Sequence, residues 1–454
     1  MDFKDLSFSP APLIKTPPPG PKSQAYLAYQ SSHEGSTVSY SKGMPMAIER
    51  AKGSTVEDVD GNLYIDFFGG AGVMNVGHSN PTVVQAVMRQ VGELTHALDF
   101  PTPSRQLLIE KLSRVLPKQL SRLSFGGPTG SDAVESAVKL AKYNTKRQPI
   151  IAFEGSYHGM TAGALSLTSG RHFREPFLPL APEVHFVPYA YCYRCPFNQA
   201  PDKCNLECAQ YLDHVLEDPH SGVGKPAAII VEPMQGEGGS IVPPAKFLPK
   251  VRQICDKHDV VMIADEVQVG FCRTGKMFAC DHTETIPDII TLSKALGGLG
   301  LPISGIAYQE RLNTWPSAQH IGTFRGNVLA YAAGAAALDF MIATNLADHA
   351  LKLGERMLAA LKELEEASRV VGEVRGKGLM LGVEFVKDKS TKEPWPEGAR
   401  RVRSGCHRRG LLIEIGGHYN QVARFLPPLV LTDELAAKGL AIFMDSVQEV
   451  ERTL

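Results

Sequence analysis

The chain has 454 residues, 43% of them hydrophobic and 21% charged, enough apolar material for two domains or one elaborated α/β unit. Forty-seven basic residues face 48 acidic ones, a formal charge of −1, which leaves no global field to draw in nucleic acid or an anionic membrane. No run reaches the roughly 18 consecutive apolar residues of a membrane span, and Met1 to Lys22 lacks the basic head and apolar core of a leader; the expectation is a soluble cytoplasmic protein with no cleaved signal and no nucleic-acid or membrane partner.

In chain order, Pro10, Pro12, Pro17, Pro18, Pro19 and Pro21 predict an extended arm over residues 1–23, lying on the surface or on a partner subunit. The folded chain is expected to begin near Gln24. Thr55 to Asp66 reads as a hairpin turning at Asp60-Gly61-Asn62, and helical spacing runs from about Pro81 to Leu94. Between about 120 and 310, short buried strands alternate with amphipathic helices, the pattern of a mostly parallel sheet covered on both faces. Within it, the apolar run Ala227 to Val231, the helically spaced Phe247, Leu248, Val251, Ile254 and Cys255, and the apolar run Val260 to Ala264 form one βαβ unit. A long helix (Leu346 to Ser368), two strand-like runs (Leu379 to Val386, Gly410 to Ile415) and a last helix from Asp433 predict a smaller α+β domain. The expected organisation is the arm 1–23, a segment 24–80 belonging to the small domain, a large domain 81–340 and a C-terminal small domain 341–454.

Three places carry chemistry. Pro128-Thr129-Gly130-Ser131-Asp132-Ala133 leads straight into a helix, whose unpaired N–H groups and positive end suit a phosphate; an ordinary N-cap reads the same way. Asp265 closes a buried strand, where open α/β sheets place their ligands and where a carboxylate is costly unless it meets a cation. Lys294 closes another apolar strand and precedes Gly297 and Gly298; burial there favours the neutral amine, the form that builds a Schiff base. Each has a purely structural reading alone. Together, a phosphate cradle, an acid for a protonated ring nitrogen and an amine for an imine are the parts that pyridoxal 5′-phosphate (PLP) requires.

At this point the sequence resembles the class III (ω-type) aminotransferases, PLP-dependent enzymes of fold type I. The likeness runs from about residue 25 onward through Thr129-Gly130-Ser131, Gly155-Ser156-Tyr157-His158-Gly159, Val231-Glu232-Pro233, Gln235-Gly236-Glu237-Gly238-Gly239, Asp265-Glu266-Val267-Gln268, Ser293-Lys294 and Gly322-Thr323. It implies a large domain with a mostly parallel, seven-stranded sheet under helices, plus a smaller α+β domain. It further implies that Lys294 holds PLP covalently and shuttles a proton, and that Asp265 keeps the pyridine nitrogen protonated. By the same resemblance Gly130 and Ser131 bind the phosphate, Tyr157 stacks on the ring, Gln268 lies beside the 3-hydroxyl and Glu232 belongs to the cofactor-binding set. Thr323 would reach the phosphate of a neighbouring subunit's cofactor, which implies a homodimer with shared active sites; further pairing to a tetramer is left open.

The resemblance also bears on substrate. Arg424 matches the arginine that grips an α-carboxylate, and Glu237 the acid that pairs with it when an ω-amino substrate is bound. Met160 stands where the 4-aminobutyrate enzymes often carry an arginine. With His158-Gly159-Met160-Thr161 and His320 to Asn327, the chain looks most like the diaminobutyrate–2-oxoglutarate aminotransferases, which move the 4-amino group of L-2,4-diaminobutanoate to 2-oxoglutarate. The rivals are an aminotransferase for another ω-amino acid and an amino-acid racemase or epimerase on the same fold, which needs no gate such as Glu237.

Eight cysteines are too few for a disulfide scaffold, but Cys192, Cys195, Cys204 and Cys208 crowd into 17 residues. Four thiolates at this spacing could close a structural zinc site; two loop disulfides or free thiols are the alternatives.

Overall fold

Along each central strand, alternate residues belong to two separate apolar clusters. Ile151, Ile229, Val231, Met262, Ala264, Ile290 and Leu292 enter one; Ile150, Ala152, Ala228, Ile230, Val261, Ile263 and Ile289 enter the other. Successive side chains point to opposite faces of a strand, so both faces of this sheet are buried, which explains the unbroken apolar runs. The computed structural model, which describes residues 3–454, thus has a central sheet between helical layers.

Three sheets organise the chain. β1 (Ile48–Lys52), β2 (Thr55–Asp58) and β3 (Leu63–Asp66) form an N-terminal antiparallel ribbon. The central sheet holds β4 (Arg122–Phe125), β5 (Ile150–Phe153), β6 (Val184–Val187), β7 (Ala228–Val231), β8 (Val261–Asp265), β9 (Ile289–Leu292) and β10 (Gly305–Tyr308) in the order β4-β10-β9-β8-β7-β5-β6. Only β10 runs antiparallel to its neighbours, so this is the expected seven-stranded, mostly parallel sheet. The C-terminal part holds β11 (Val371–Lys377), β12 (Met380–Phe385), β13 (Leu411–Leu412), β14 (Glu414–Gly416) and β15 (Val422–Phe425).

The run 410–415, expected as one strand, divides at Ile413. β13 pairs in parallel with β3, whereas β14 pairs antiparallel with β15. One short segment therefore stitches the N-terminal ribbon to the C-terminal sheet.

The proline arm packs on its own chain. Leu6 and Ala11 are buried, Leu13 and Leu63 exchange backbone hydrogen bonds at 2.9 and 2.8 Å, and Asn62 Oδ1 accepts from the N–H groups of Lys15 and Thr16. The first long helix starts at Pro21, ahead of the expected Gln24: Pro21 is its first residue, and the carboxylate of Asp60, from the hairpin turn, accepts from the N–H groups of Lys22 and Ser23. Proline suits a first helical position, and an acid there meets the unpaired N–H groups.

Helices Pro103–Val115, Val328–Ala343 and Pro396–Arg408 are among those outside the sequence-based expectations. Helix Val328–Ala343 is apolar on nearly every side and packs on helices Pro81–Val91 and Pro103–Val115, so it lacks the polar stripe that marks a surface helix. Helix Pro396–Arg408 packs on the last helix, Asp433–Glu451. Among the described residues, no single helix is long and apolar enough to cross a membrane.

Candidate active site

The parallel strands all end at one edge of the central sheet, and the loops leaving that edge carry polar side chains into one cavity of about 860 Å³. Its lining includes Gly130, Ser131, Tyr157, Met160, Glu232, Glu237, Asp265, Gln268, Lys294 and Arg424. Residues scattered over 295 positions of sequence thus meet where open α/β sheets bind ligands.

Asp265, the last residue of β8, is buried. Burial alone would raise its pKa, but His158 Nδ1 at 2.7 Å, the Thr291 hydroxyl at 2.8 Å and the Val267 N–H at 3.1 Å hold it below the usual aspartate value. It is therefore a carboxylate, suited to a cationic partner. Glu232, just past β7, differs: burial pushes its pKa up to about 7 although the N–H groups of Tyr157 and Gly236 donate to it.

Lys294 follows β9 with φ +44°, a left-handed conformation that is strained for a side chain and is often kept at functional sites. Ser293 fixes the approach by donating from Oγ to the carbonyl of Ile303 at 2.8 Å. Burial lowers the lysine pKa against the opposing pull of Asp265, Glu232 and Glu237, which enlarges the neutral, nucleophilic fraction.

Gly130 begins helix Gly130–Thr145, whose capping Thr129 donates from its N–H to Asp132. A Cβ at Gly130 would lie 2.8 Å from Val267 Cγ1, so the backbone there is open only to a residue without a side chain. Ser131 Oγ accepts from the Met160 N–H at 3.2 Å. Tyr157 packs edge-on against Phe173, and burial raises its pKa. Gln268 donates to the carbonyl of Ala71, leaving its buried Oε1 without a partner.

Arg424 on β15 is 3% exposed. Its Nη2 lies 2.6 Å from Glu237 Oε2, while Nε and Nη1 are buried and unpaired. Glu237 is about one-third exposed and sits in the loop that follows Glu232, not on a strand.

A model of the family "Aminotransferase class-III" matches residues 37–447. This chain belongs to the class III aminotransferases. The aminotransferase is similar to a diaminobutyrate–2-oxoglutarate aminotransferase from Haemophilus influenzae, 42% identical over 93% of this chain and 95% of that protein. It is also similar to a leucine/methionine racemase from Thermococcus litoralis, 37% identical over 92% of this chain and 93% of that one. Among solved structures, a PLP-bound amine transaminase from an uncultivated Pseudomonas species superimposes with a TM-score of 0.84 at 30% identity, covering 92% and 98% of the two chains. The enzyme is a fold type I, PLP-dependent aminotransferase, with an amino donor and a 2-oxo acid acceptor as its substrates.

The donor set fits PLP. A backbone cradle closed to any Cβ, the ionised and buried Asp265, the orphaned Gln268 Oε1 and a lysine of lowered pKa all face one cavity. His158, Thr291, Tyr40, Arg403 and Glu414 also belong to the site or support it, and sequence reasoning gave none of them a role.

Thr323 is not brought to this cavity. It lies exposed in the turn Thr323–Gly326, its carbonyl accepting from His96 Nε2 at 2.8 Å. The zinc site expected at the cysteines is not supported. Cys192, Cys195, Cys204 and Cys208 line one small recess as free thiols. Burial pushes the Cys208 thiol up to about 12 and raises that of Cys192, and Cys204 donates to Glu207 Oε2 at 2.8 Å. Among the described residues, the ligand atoms that converge within 4.8 Å belong to Asp213, Glu217 and His258, and the Lys257 ammonium is already bound to both carboxylates.

Proposed function

We propose that this aminotransferase moves the 4-amino group of L-2,4-diaminobutanoate to 2-oxoglutarate, giving L-aspartate 4-semialdehyde and L-glutamate. The observation that carries this reading is the Glu237–Arg424 pair, a buried guanidinium with two free donors behind a carboxylate that is about one-third exposed. Such a pair serves two unlike substrates in turn. With Glu237 in place, Arg424 is neutralised and the site accepts an ω-amine; with Glu237 swung away, Arg424 grips the α-carboxylate of the keto acid bidentately. The Haemophilus influenzae relative, named for this same pair of substrates, supports the choice. Met160 supports it too, since it leaves that position without the arginine that a 4-aminobutanoate enzyme often places there.

When bound, PLP supplies an electron sink for the pair left on the substrate carbon after its proton departs. Lys294 Nζ would hold the cofactor at rest and, once free, would move that proton from the substrate carbon to the cofactor's C4′. Asp265 keeps the pyridine nitrogen protonated, with His158 and Thr291 keeping Asp265 charged. Gly130 and Ser131 hold the phosphate, Tyr157 covers the ring, Gln268 meets the 3-hydroxyl, and Glu232 fixes the backbone that carries Tyr157. Thr323 serves the partner's cofactor in a homodimer, with residues 81–340 as the large domain and residues 24–80 and 341–454 forming the small one.

A second reading, amino-acid racemisation, is favoured by the 37% identical leucine/methionine racemase. One experiment separates them: absorbance of the holoenzyme in a single turnover, without keto acid. L-2,4-diaminobutanoate should convert the cofactor to its amine form, and 2-oxoglutarate should restore it. Loss of optical rotation of L-leucine with an unchanged cofactor spectrum would instead establish the racemase.

A further inference from the structure

Glu414 on β14 stands directly opposite Arg424 on β15, and cross-strand partners share a sheet face. Both line the cavity that contains Lys294. Glu414 is only 7% exposed; its Oε1 accepts from the Ile415 N–H at 2.7 Å, and its buried Oε2 has no partner. Arg403, from helix Pro396–Arg408, lines the same cavity with its Nε also buried and unpaired. The two charges lie 3.9 Å apart, too far to hydrogen-bond. Gly43 makes room for the arginine: a Cβ there would sit 2.6 Å from Arg403 Cζ.

A half-satisfied buried ion pair is costly. Arg424 offsets part of the burial cost of Glu414 by its charge but gives it no hydrogen bond, and its Nη2 is engaged by Glu237. The missing partners are one cation donor for Glu414 and one anion for Arg403, presented side by side. An α-amino acid head group is such a ligand.

We infer that Glu414 and Arg403 form a subsite for the zwitterionic head of the amine donor, Glu414 receiving the α-ammonium and Arg403 the α-carboxylate. The inference rests on the proposed function, in which the reacting amine is the distal one. Burial raises the Glu414 pKa, with Arg424 opposing, so an arriving ammonium stabilises the carboxylate it needs. A plain ω-amino acid fills only the Arg403 half and strands Glu414. The subsite therefore selects diamino acids, because a site built to hydrogen-bond a group rejects the analogue lacking it.

The test compares L-2,4-diaminobutanoate with 4-aminobutanoate, the same chain without the α-amino group, in single turnovers of the holoenzyme. Wild type should prefer the diamine, and Glu414→Gln should cut that preference by roughly 10- to 100-fold, the size of one charge-assisted hydrogen bond, through the apparent Kd more than the limiting rate constant. Arg403→Lys should weaken both donors alike. Equal losses on both donors in Glu414→Gln, or no loss on either, overturn the subsite. If that variant does not fold, Glu414→Asp, which keeps the charge but shortens its reach, should lower the same ratio; an unchanged ratio there also overturns it. A wild type that takes both donors equally overturns the subsite alone, whereas one that converts no ω-amine overturns the proposed function and the subsite with it.

Discussion

Asp265 and Thr291 face each other across the parallel strands β8 and β9, and the threonine hydroxyl donates to Asp265 Oδ1 at 2.8 Å. His158 Nδ1 approaches the other oxygen at 2.7 Å, so both carboxylate oxygens are occupied in a buried place. Removing either donor leaves burial less opposed. His158→Phe should raise the Asp265 pKa, since a charge-assisted hydrogen bond that favours the carboxylate is lost. The protonated acid cannot hold a pyridinium, so kcat should gain an acid limb and fall as pH drops. A kcat–pH profile that matches wild type would refute the role given to His158. Asp265→Asn, with no charge to offer, should lower kcat by roughly 10²- to 10⁴-fold at every pH.

The proposed mechanism gives Lys294 two separable tasks, holding the cofactor and moving a proton. Reduction of the holoenzyme with borohydride should fix the cofactor to the peptide containing Lys294, read as a mass shift after proteolysis. Lys294→Ala should lose that label and at least roughly 10³-fold in kcat, yet still bind PLP through the phosphate cradle and Asp265. A label on another lysine would overturn the assignment.

The central sheet was legible because parallel strands covered on both faces read as unbroken apolar runs, and Asp265 and Lys294 stand where two of those runs end. The supporting residues were not legible. Thr291 meets Asp265 through strand register, and nothing in the sequence of β9 distinguishes it from any strand threonine. Glu414 was hidden for a different reason: the apolar text of 410–415 reads as one strand, whereas the chain changes sheets at Ile413, which turns Glu414 toward Arg424. Helix Val328–Ala343 escaped because apolar residues on nearly every side erase the 3.6-residue period. The cysteine spacing suggested a metal, but spacing carries no information on whether thiols point together.

His407 offers a stability test away from the chemistry. It is buried and stacks on Tyr64 with ring centroids 5.5 Å apart. Burial lowers its pKa from 6.5 to about 4, the nearby Asp58 only partly opposing. A base whose folded pKa is depressed adds stability above its unfolded pKa and loses it as pH falls through the folded one. The contribution should be complete above about pH 6.5 and vanish toward pH 4, a swing of about 3 kcal/mol. His407→Phe keeps the stacking ring without the titration, so its Tm should fall less steeply than wild type between pH 6.5 and 4. Parallel acid limbs in thermal melts would remove His407 from the account.

Thr323 is exposed in this chain, and its neighbours Ile321 and Phe324 are 64% and 68% exposed. Large apolar side chains left so open beside a residue assigned to a phosphate are what a subunit contact would cover. Phe324→Asp should shift the mass seen by light scattering from that of the proposed dimer toward monomer and weaken PLP retention with it. Thr323→Ala should leave the dimer intact but weaken PLP retention by roughly 10- to 100-fold, the loss of a hydrogen bond to a charged group. The two variants separate the roles: a dimeric Thr323→Ala protein that holds PLP as tightly as wild type means that the threonine serves no phosphate, whatever the oligomer, and a wild type that is monomeric when fully loaded removes the shared active site altogether.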